Sequence, residues 1–262
     1  MRSGKVAAAF AVLLVVSFAV MNAMPSDTLP AALLQETVLA LVAFAAVGFA
    51  IPDALKRCTQ TVQQRNTVRF TATALLLAGL VGGAITLLAW LFASGGTMAC
   101  FASTALPSTA DLMENLLLLL GICLLTGLYE ESFMRVLGIE AFERALDTKR
   151  AILASAALFA LLHVGVLDVS AGQLVLLQTA LKFGQALLFG VIMGALHVRT
   201  RRLWPCAFIH AGFDVLYLAP NVLLTGTMPE TYASGAVGDT VLLAVSVLML
   251  SGIVLKIRKE IA

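Results

Sequence analysis

Eight windows of mostly apolar residues follow one another along the chain, separated by short polar stretches. They cover approximately residues 6–24, 31–52, 71–93, 116–139, 151–167, 174–198, 203–219 and 238–256. A helix needs about 20 apolar residues to cross the hydrocarbon core of a bilayer, so these lengths predict membrane-spanning helices. The pattern predicts an all-α fold, a polytopic transmembrane bundle of about eight spans, with residues 53–70 as a polar inner loop.

The composition of the chain favours a membrane protein over a soluble one. Of the 262 residues, 60% are apolar and only 12% are charged, whereas a soluble domain carries about 25% charged residues. A soluble protein with one very apolar core is therefore disfavoured. Because no segment outside the spans is long enough for a second domain, we interpret residues 1–262 as a single membrane-embedded domain.

The charged residues between the spans predict the orientation of the bundle. With both termini in the cytoplasm, all basic residues outside the spans fall in inner segments. The charged residues of the outer loops are all acidic. This distribution follows the positive-inside rule and supports an even number of spans. The net charge of +2 thus reflects topology and not nucleic-acid binding. The inner basic residues are Arg2, Lys5, Lys56, Arg57, Arg65, Arg69, Arg144, Lys149, Arg150, Arg199, Arg201, Arg202, Lys256, Arg258 and Lys259.

The first window has a second interpretation. A short basic start followed by an apolar run is also typical of a signal peptide, with a poorly formed cleavage site around residues 21–24. Cleavage there would leave seven spans and place the new N-terminus outside. We favour an uncleaved first helix.

The fourth window contains two adjacent carboxylates and a guanidinium. Glu130, Glu131 and Arg135 lie within the run LLLLLGICLLTGLYEESFMRVLGIEAF. Charged groups are costly in hydrocarbon, so they indicate a functional site. Residues four apart share a helix face, which pairs Glu131 with Arg135 and leaves Glu130 free to exchange a proton. The alternative is a charge cluster at the inner helix end, where Arg135 could extend to the interface.

Two histidines lie at a depth similar to that of the carboxylates. With a rise of ~1.5 Å per residue from the inner basic residues, Glu130 and His163 lie roughly 20 Å from the inner interface. His210 and Asp214, one turn apart, lie at roughly 12 and 18 Å by the same measure. Three helices are therefore expected to bring these four side chains together near the middle of the membrane.

Other polar residues in the spans have plainer interpretations. Glu36 is predicted to be an interfacial carboxylate near the outer end of the second span, and His197, beside three arginines, a surface residue. Lys182 and Gln185 of the sixth span receive no role. Gly190 and Gly194 form a GxxxG pair, a spacing that lets helix backbones approach closely, so we expect them to serve packing.

The polar residues together resemble a known family. The pattern is similar to the CPBP (CAAX protease and bacteriocin-processing) family of intramembrane endopeptidases, which includes the type II CAAX prenyl endopeptidases and many bacterial relatives. The resemblance covers about residues 115–219, and implies a bacterial plasma membrane. The motifs that carry it are Glu130-Glu131-x-x-x-Arg135, Phe159-x-x-x-His163 and His210-x-x-x-Asp214.

The resemblance implies a mechanism for these residues. Glu130 would be the general base that activates a water, and His163 would position that water. His210 with Asp214 would stabilise the oxyanion, while Glu131 and Arg135 give electrostatic support. CAAX endopeptidases usually carry Asn where this chain has Asp214. Because Asp donates no hydrogen bond unless protonated, we expect Asp214 to orient His210 instead.

The sequence leaves more than one possibility open for the cofactor and for the class of function. A divalent metal such as zinc could be held by Glu130, His163 and His210, a plausible ligand set, although we favour a glutamate-activated water without metal. The expected partner is a membrane-embedded or membrane-delivered peptide, and no nucleic acid. Two other functions are a proton-coupled transporter with the same buried groups as a relay, and a non-catalytic bacteriocin-immunity or scaffold protein.

Overall fold

The protein is a bundle of helices in a computed structural model. The structure describes residues 2–24, 26–55, 62–93, 107–164, 170, 172–229 and 232–261, and no strand occurs among them. The predicted all-α class is therefore confirmed. The helices are α1 (Arg2–Ala23), α2 (Leu29–Ala50), α3 (Val62–Ala93), α4 (Thr109–Phe142), α5 (Thr148–Val164), α6 (Gln173–Thr200), α7 (Leu203–Thr225) and α8 (Val237–Ile261).

Most of these helices are long enough to cross a membrane. Within the described residues, seven have the length and apolar composition of a span. The remaining helix, α5, corresponds to the fifth predicted window and has 17 residues, slightly fewer than a full crossing needs. The chain is thus a multi-pass membrane protein with the predicted polytopic architecture.

Two helix starts differ from the hydrophobic windows. Helix α3 begins at Val62, so residues 62–70 are helical and not part of an inner loop, which corrects that prediction. Its polar first turns lie against another inner segment, where Gln64 donates a hydrogen bond to the Arg199 carbonyl at 3.2 Å. Helix α4 begins at Thr109 because Ser108 and Asp111 form a capping box, which supplies partners for the first backbone N–H groups.

Helix α4 is not a regular α-helix along its whole length. It changes to a π-helix over Glu131–Ile139, all of it buried. A π-helical segment is rare and is often found at functional sites. The Ser155 hydroxyl of α5 donates a 2.6 Å hydrogen bond to the Met134 carbonyl within this segment. From α1, the Phe10 ring lies 5.1 Å from that of Phe133, so α1 packs directly behind the segment.

Two close helix contacts set the positions of the polar helices. At Gly127, an added Cβ would lie 2.6 Å from the Ala207 carbonyl oxygen, so α4 and α7 touch backbone to backbone there. On α6, a Cβ at Gly190 would lie 2.9 Å from Ala156 Cβ, and one at Gly194 would lie 2.9 Å from an Ile152 methyl carbon. The GxxxG face of α6 thus packs against α5.

Candidate active site

The π-helical segment of α4 begins with a buried ion pair. Arg135 Nε lies 3.3 Å from Glu131 Oε2, and both side chains are completely buried. The Arg135 guanidinium also lies over the Phe159 ring of α5, with Cζ 4.5 Å from the ring centroid. An aromatic face attracts a cation that lacks water, so the ring helps to hold Arg135 in place.

The same Glu131 carboxylate holds a histidine of α7. His210 Nδ1 donates a hydrogen bond to Glu131 Oε1 at 2.8 Å, and His210 is itself almost completely buried. We expected Asp214 to orient this ring. Asp214 does contact the ring, at its other nitrogen, with Oδ2 3.3 Å from His210 Nε2. Glu131 of α4 therefore holds the Nδ1 side of the His210 ring, across the contact that α4 and α7 make at Gly127.

Glu130 lies between the two histidines. Its Oε2 is 3.5 Å from His210 Nε2 on α7, and its Oε1 is 3.9 Å from His163 Nε2 on α5. The Glu130 side chain is 19% exposed, whereas that of Glu131 is 0% exposed. Neighbouring carboxylates on one helix thus have different surroundings, and of the two only Glu130 is partly exposed.

His163 is fixed by its own helix. Its Nδ1 donates a hydrogen bond to the Phe159 carbonyl at 2.9 Å, because a carbonyl oxygen can only accept. The ring packs against that of Phe159, with centroids 4.1 Å apart. This leaves Nε2 directed at Glu130 and available to accept or share a proton.

A small cavity adjoins these groups. It has a volume of about 50 Å³, enough for one or two waters or a carbonyl group. Aromatic rings of α5, α6 and α7 form its apolar wall. The polar residues that line it are His163, Lys182, Gln185, His210 and Asp214.

Two residues lie elsewhere than the sequence predicted. Glu36 of α2 was expected at the interface, but its Oε2 is buried and its carboxylate interacts electrostatically with Glu130, Asp214 and His210. His197 was expected at the surface, but it is only 3% exposed. It interacts with Glu131 and Arg135 from α6. Hydropathy gives the depth of a residue, but it does not give the direction in which the helix turns it.

An ion pair between Arg201 and Glu143 joins the ends of α6 and α4. Arg201 follows α6 in a left-handed conformation with φ of 50°. Its guanidinium donates two hydrogen bonds to the Glu143 carboxylate, at 2.8 and 2.9 Å. These bonds lower the pKa of Glu143 below its ordinary value and raise that of Arg201.

Comparison with known proteins bears on the same part of the chain. The profile of the family described as Type II CAAX prenyl endopeptidase Rce1-like matches residues 112–216. The resemblance to the CPBP family is confirmed. The match runs from the start of α4 into α7 and includes every residue of the site except Glu36. A search of curated proteins finds no match to the chain.

The predicted metal ligands do not form a ready metal site. Among the residues that the structure describes, no three His, Cys, Asp or Glu side chains are grouped so that they could hold a metal ion. Glu130, His163 and His210 remain the candidates, and zinc binding stays a prediction. The reaction considered below uses only the side chains of this chain and a water.

Proposed function

We propose that the chain is an intramembrane endopeptidase that hydrolyses peptide bonds of membrane-associated proteins or peptides by means of a glutamate-activated water. The family match supports proteolytic activity in general. The observation that carries the mechanism is the position of Glu130, between histidines of two other helices that both line a small cavity.

In the proposed reaction, Glu130 takes a proton from a water while the water oxygen attacks the peptide carbonyl. His163 accepts a hydrogen bond from that water at Nε2, because its Nδ1 already donates to the Phe159 carbonyl. Glu130 then passes the proton to the leaving amine as the C–N bond breaks. Glu131 and Arg135 do not touch the substrate. They fix the His210 ring and so act as positioning residues.

The experiment compares two glutamates of one helix. The protein is purified in detergent or liposomes and offered a library of lipid-tethered fluorogenic peptides. We expect Glu130→Gln to reduce cleavage by about 100-fold or more, the usual contribution of a general base. Glu114→Gln is the matched control, because Glu114 is an exposed residue near the start of α4.

Two further measurements separate the alternatives. His163→Ala is expected to lose activity as well, and a chelator-washed wild-type sample free of zinc by elemental analysis is expected to stay active. Full cleavage by Glu130→Gln would contradict the mechanism. Activity that disappears with zinc and returns with it would replace the metal-free mechanism by a metal-assisted one.

A further inference from the structure

A lysine lies in the cavity that the proposed reaction uses. Lys182 is in the membrane-spanning part of α6, and its side chain lines the cavity together with His163, His210 and Asp214. A charged amine within a span is costly and indicates a function. Lys182 has no role in the proposed reaction of Glu130 and His163.

The ammonium group is held in place at one side. Lys182 Nζ donates a hydrogen bond to Gln185 Oε1 at 3.2 Å. Gln185 is itself fixed, because its Nε2 donates to the Tyr217 hydroxyl at 2.9 Å. The Tyr232 ring lies 5.9 Å from Nζ. An ammonium has three hydrogens, and among the described residues only one of them has a hydrogen-bond acceptor, so donors remain for a ligand.

The charged groups of the site act on Lys182, which lines the same cavity as His163, His210 and Asp214. Its ammonium interacts electrostatically with the carboxylates of Asp214 and Glu130, and its charge also acts on His163. These are the residues between which a water and a peptide carbonyl would meet. Lys182 therefore reaches the cavity from α6.

The reaction needs a donor that the other residues supply poorly. When water adds to a carbonyl, the C=O electron pair moves to oxygen, and this oxyanion needs hydrogen-bond donors. Asp214 is acceptor-only while ionised. His210 Nδ1 is already bound to Glu131, and its Nε2 faces the carboxylates of Glu130 and Asp214. Lys182, by contrast, is a cation beside the cavity, and its ammonium has hydrogen-bond donors left over.

We propose that Lys182 is a catalytic residue, which donates a hydrogen bond and a positive charge to the oxyanion formed on the substrate carbonyl. This inference rests on the proposed peptidase function. The water loses one proton to Glu130, its oxygen bonds to the carbonyl carbon, and the carbonyl oxygen becomes the anion that Lys182 binds. When the C–N bond breaks, the C=O bond re-forms and the Glu130 proton goes to the amine. Lys182 keeps its proton throughout.

The test measures kcat and KM for variants of Lys182. We expect Lys182→Met to lower kcat by about 100-fold or more, the loss typical of one oxyanion donor, with KM changed by less than about 3-fold. A phosphinate peptide, whose tetrahedral anionic centre imitates the intermediate, should lose affinity in parallel with kcat/KM. Lys256→Met is the matched control, since Lys256 is an exposed lysine of α8.

A second variant restores the charge. Lys182→Cys treated with 2-bromoethylamine regains an ammonium at nearly the same position, and mass spectrometry verifies the alkylation. We expect kcat to recover at least 10-fold over the untreated variant, while wild-type protein treated in the same way gains nothing. A folded and fully alkylated variant without recovery would contradict the inference. Size-exclusion chromatography establishes that each variant is folded.

The outcomes distinguish this inference from the proposed function. If Glu130→Gln is inactive and Lys182→Met keeps full kcat, the peptidase stands and the role of Lys182 is wrong. If Lys182→Met raises KM only for peptides with a free C-terminal carboxylate, and not for their amides, Lys182 binds the substrate and not the oxyanion. If wild type cleaves nothing, or Glu130→Gln is fully active, the proposed function itself fails.

Discussion

The site has a closed side and an open side. On the closed side, α4 and α7 meet at Gly127, and Glu131 joins Arg135 at 3.3 Å and His210 at 2.8 Å with hardly any exposure. On the open side, formed by α5 and α6, His163 lies 3.9 Å from Glu130 and is 27% exposed.

The difference in burial suits the two adjacent glutamates to different tasks, one to holding the site together and the other to proton transfer. A fully buried charge is stable only with close partners, and it is then too firmly held to exchange protons with a substrate. A partly exposed carboxylate can take up a proton and release it. In the proposed mechanism, Glu131 therefore fixes the geometry and Glu130 performs the chemistry.

The largest effect is expected when one charge is removed from each side of the site. Arg135→Met leaves the buried Glu131 carboxylate without its ion pair, which is expected to cost about 3–5 kcal/mol in the free energy of unfolding. Glu130→Gln should cost less than about 1 kcal/mol, because Glu130 is partly exposed and a neutral amide in its place leaves no buried charge without a partner. Thermal unfolding in one detergent measures both. Equal losses would show that the two glutamates do not differ as described.

A smaller effect tests the helix contact behind the closed side. Gly127→Ala would place a methyl group 2.6 Å from a backbone oxygen of α7, so α7 must move, at a cost of about 1–3 kcal/mol. Activity should fall too, because the movement carries His210 away from Glu131. Gly184→Ala on α6 is the control, since its nearest neighbour, a Val247 methyl, would be 3.7 Å away. A Gly127→Ala variant as stable and active as that control would contradict the close contact.

The smallest effect concerns the ion pair outside the membrane. Because Arg201 lowers the pKa of Glu143 from its usual value of 4.5, the ionised pair stabilises the fold above that pH. This contribution is lost as the pH falls through the lowered pKa of the folded state. The pair is partly exposed, so we expect Glu143→Gln to cost at most about 1 kcal/mol at pH 7. The difference from wild type should vanish in acid. A difference that persists unchanged at pH 3 would rule out this electrostatic origin.

The sequence predicted how deep each polar residue lies in the membrane better than it predicted the direction in which its side chain points. The hydrophobic windows predicted the helices, and counting along them placed Glu130, His163, His210 and Asp214 at a common depth. They did not predict the π-helical turn at Glu131. They also misplaced Glu36 and His197, whose helices turn these side chains inward. No local signal marks such a turn, because the rotation of a helix about its axis depends on its neighbours.

Lys182 shows what the sequence could have indicated. A lysine in a membrane span is visible in the sequence and is costly enough to suggest a role. Its acceptor Gln185 is only three residues away, but Tyr217, which fixes Gln185, belongs to another helix. The residue could be noticed from the chain alone, whereas its neighbours could not.

From the sequence alone one can infer a multi-pass helical membrane protein and name the candidate polar side chains, because a charged residue within an apolar run is costly and visible in the chain. The tertiary structure decided which of these groups meet. Glu131 binds His210 and not only Arg135, Asp214 faces Nε2, and Lys182 lines the cavity beside His163. These pairings join residues of different helices, and they follow from how small residues such as Gly127 and Gly190 let the helices approach and rotate against one another.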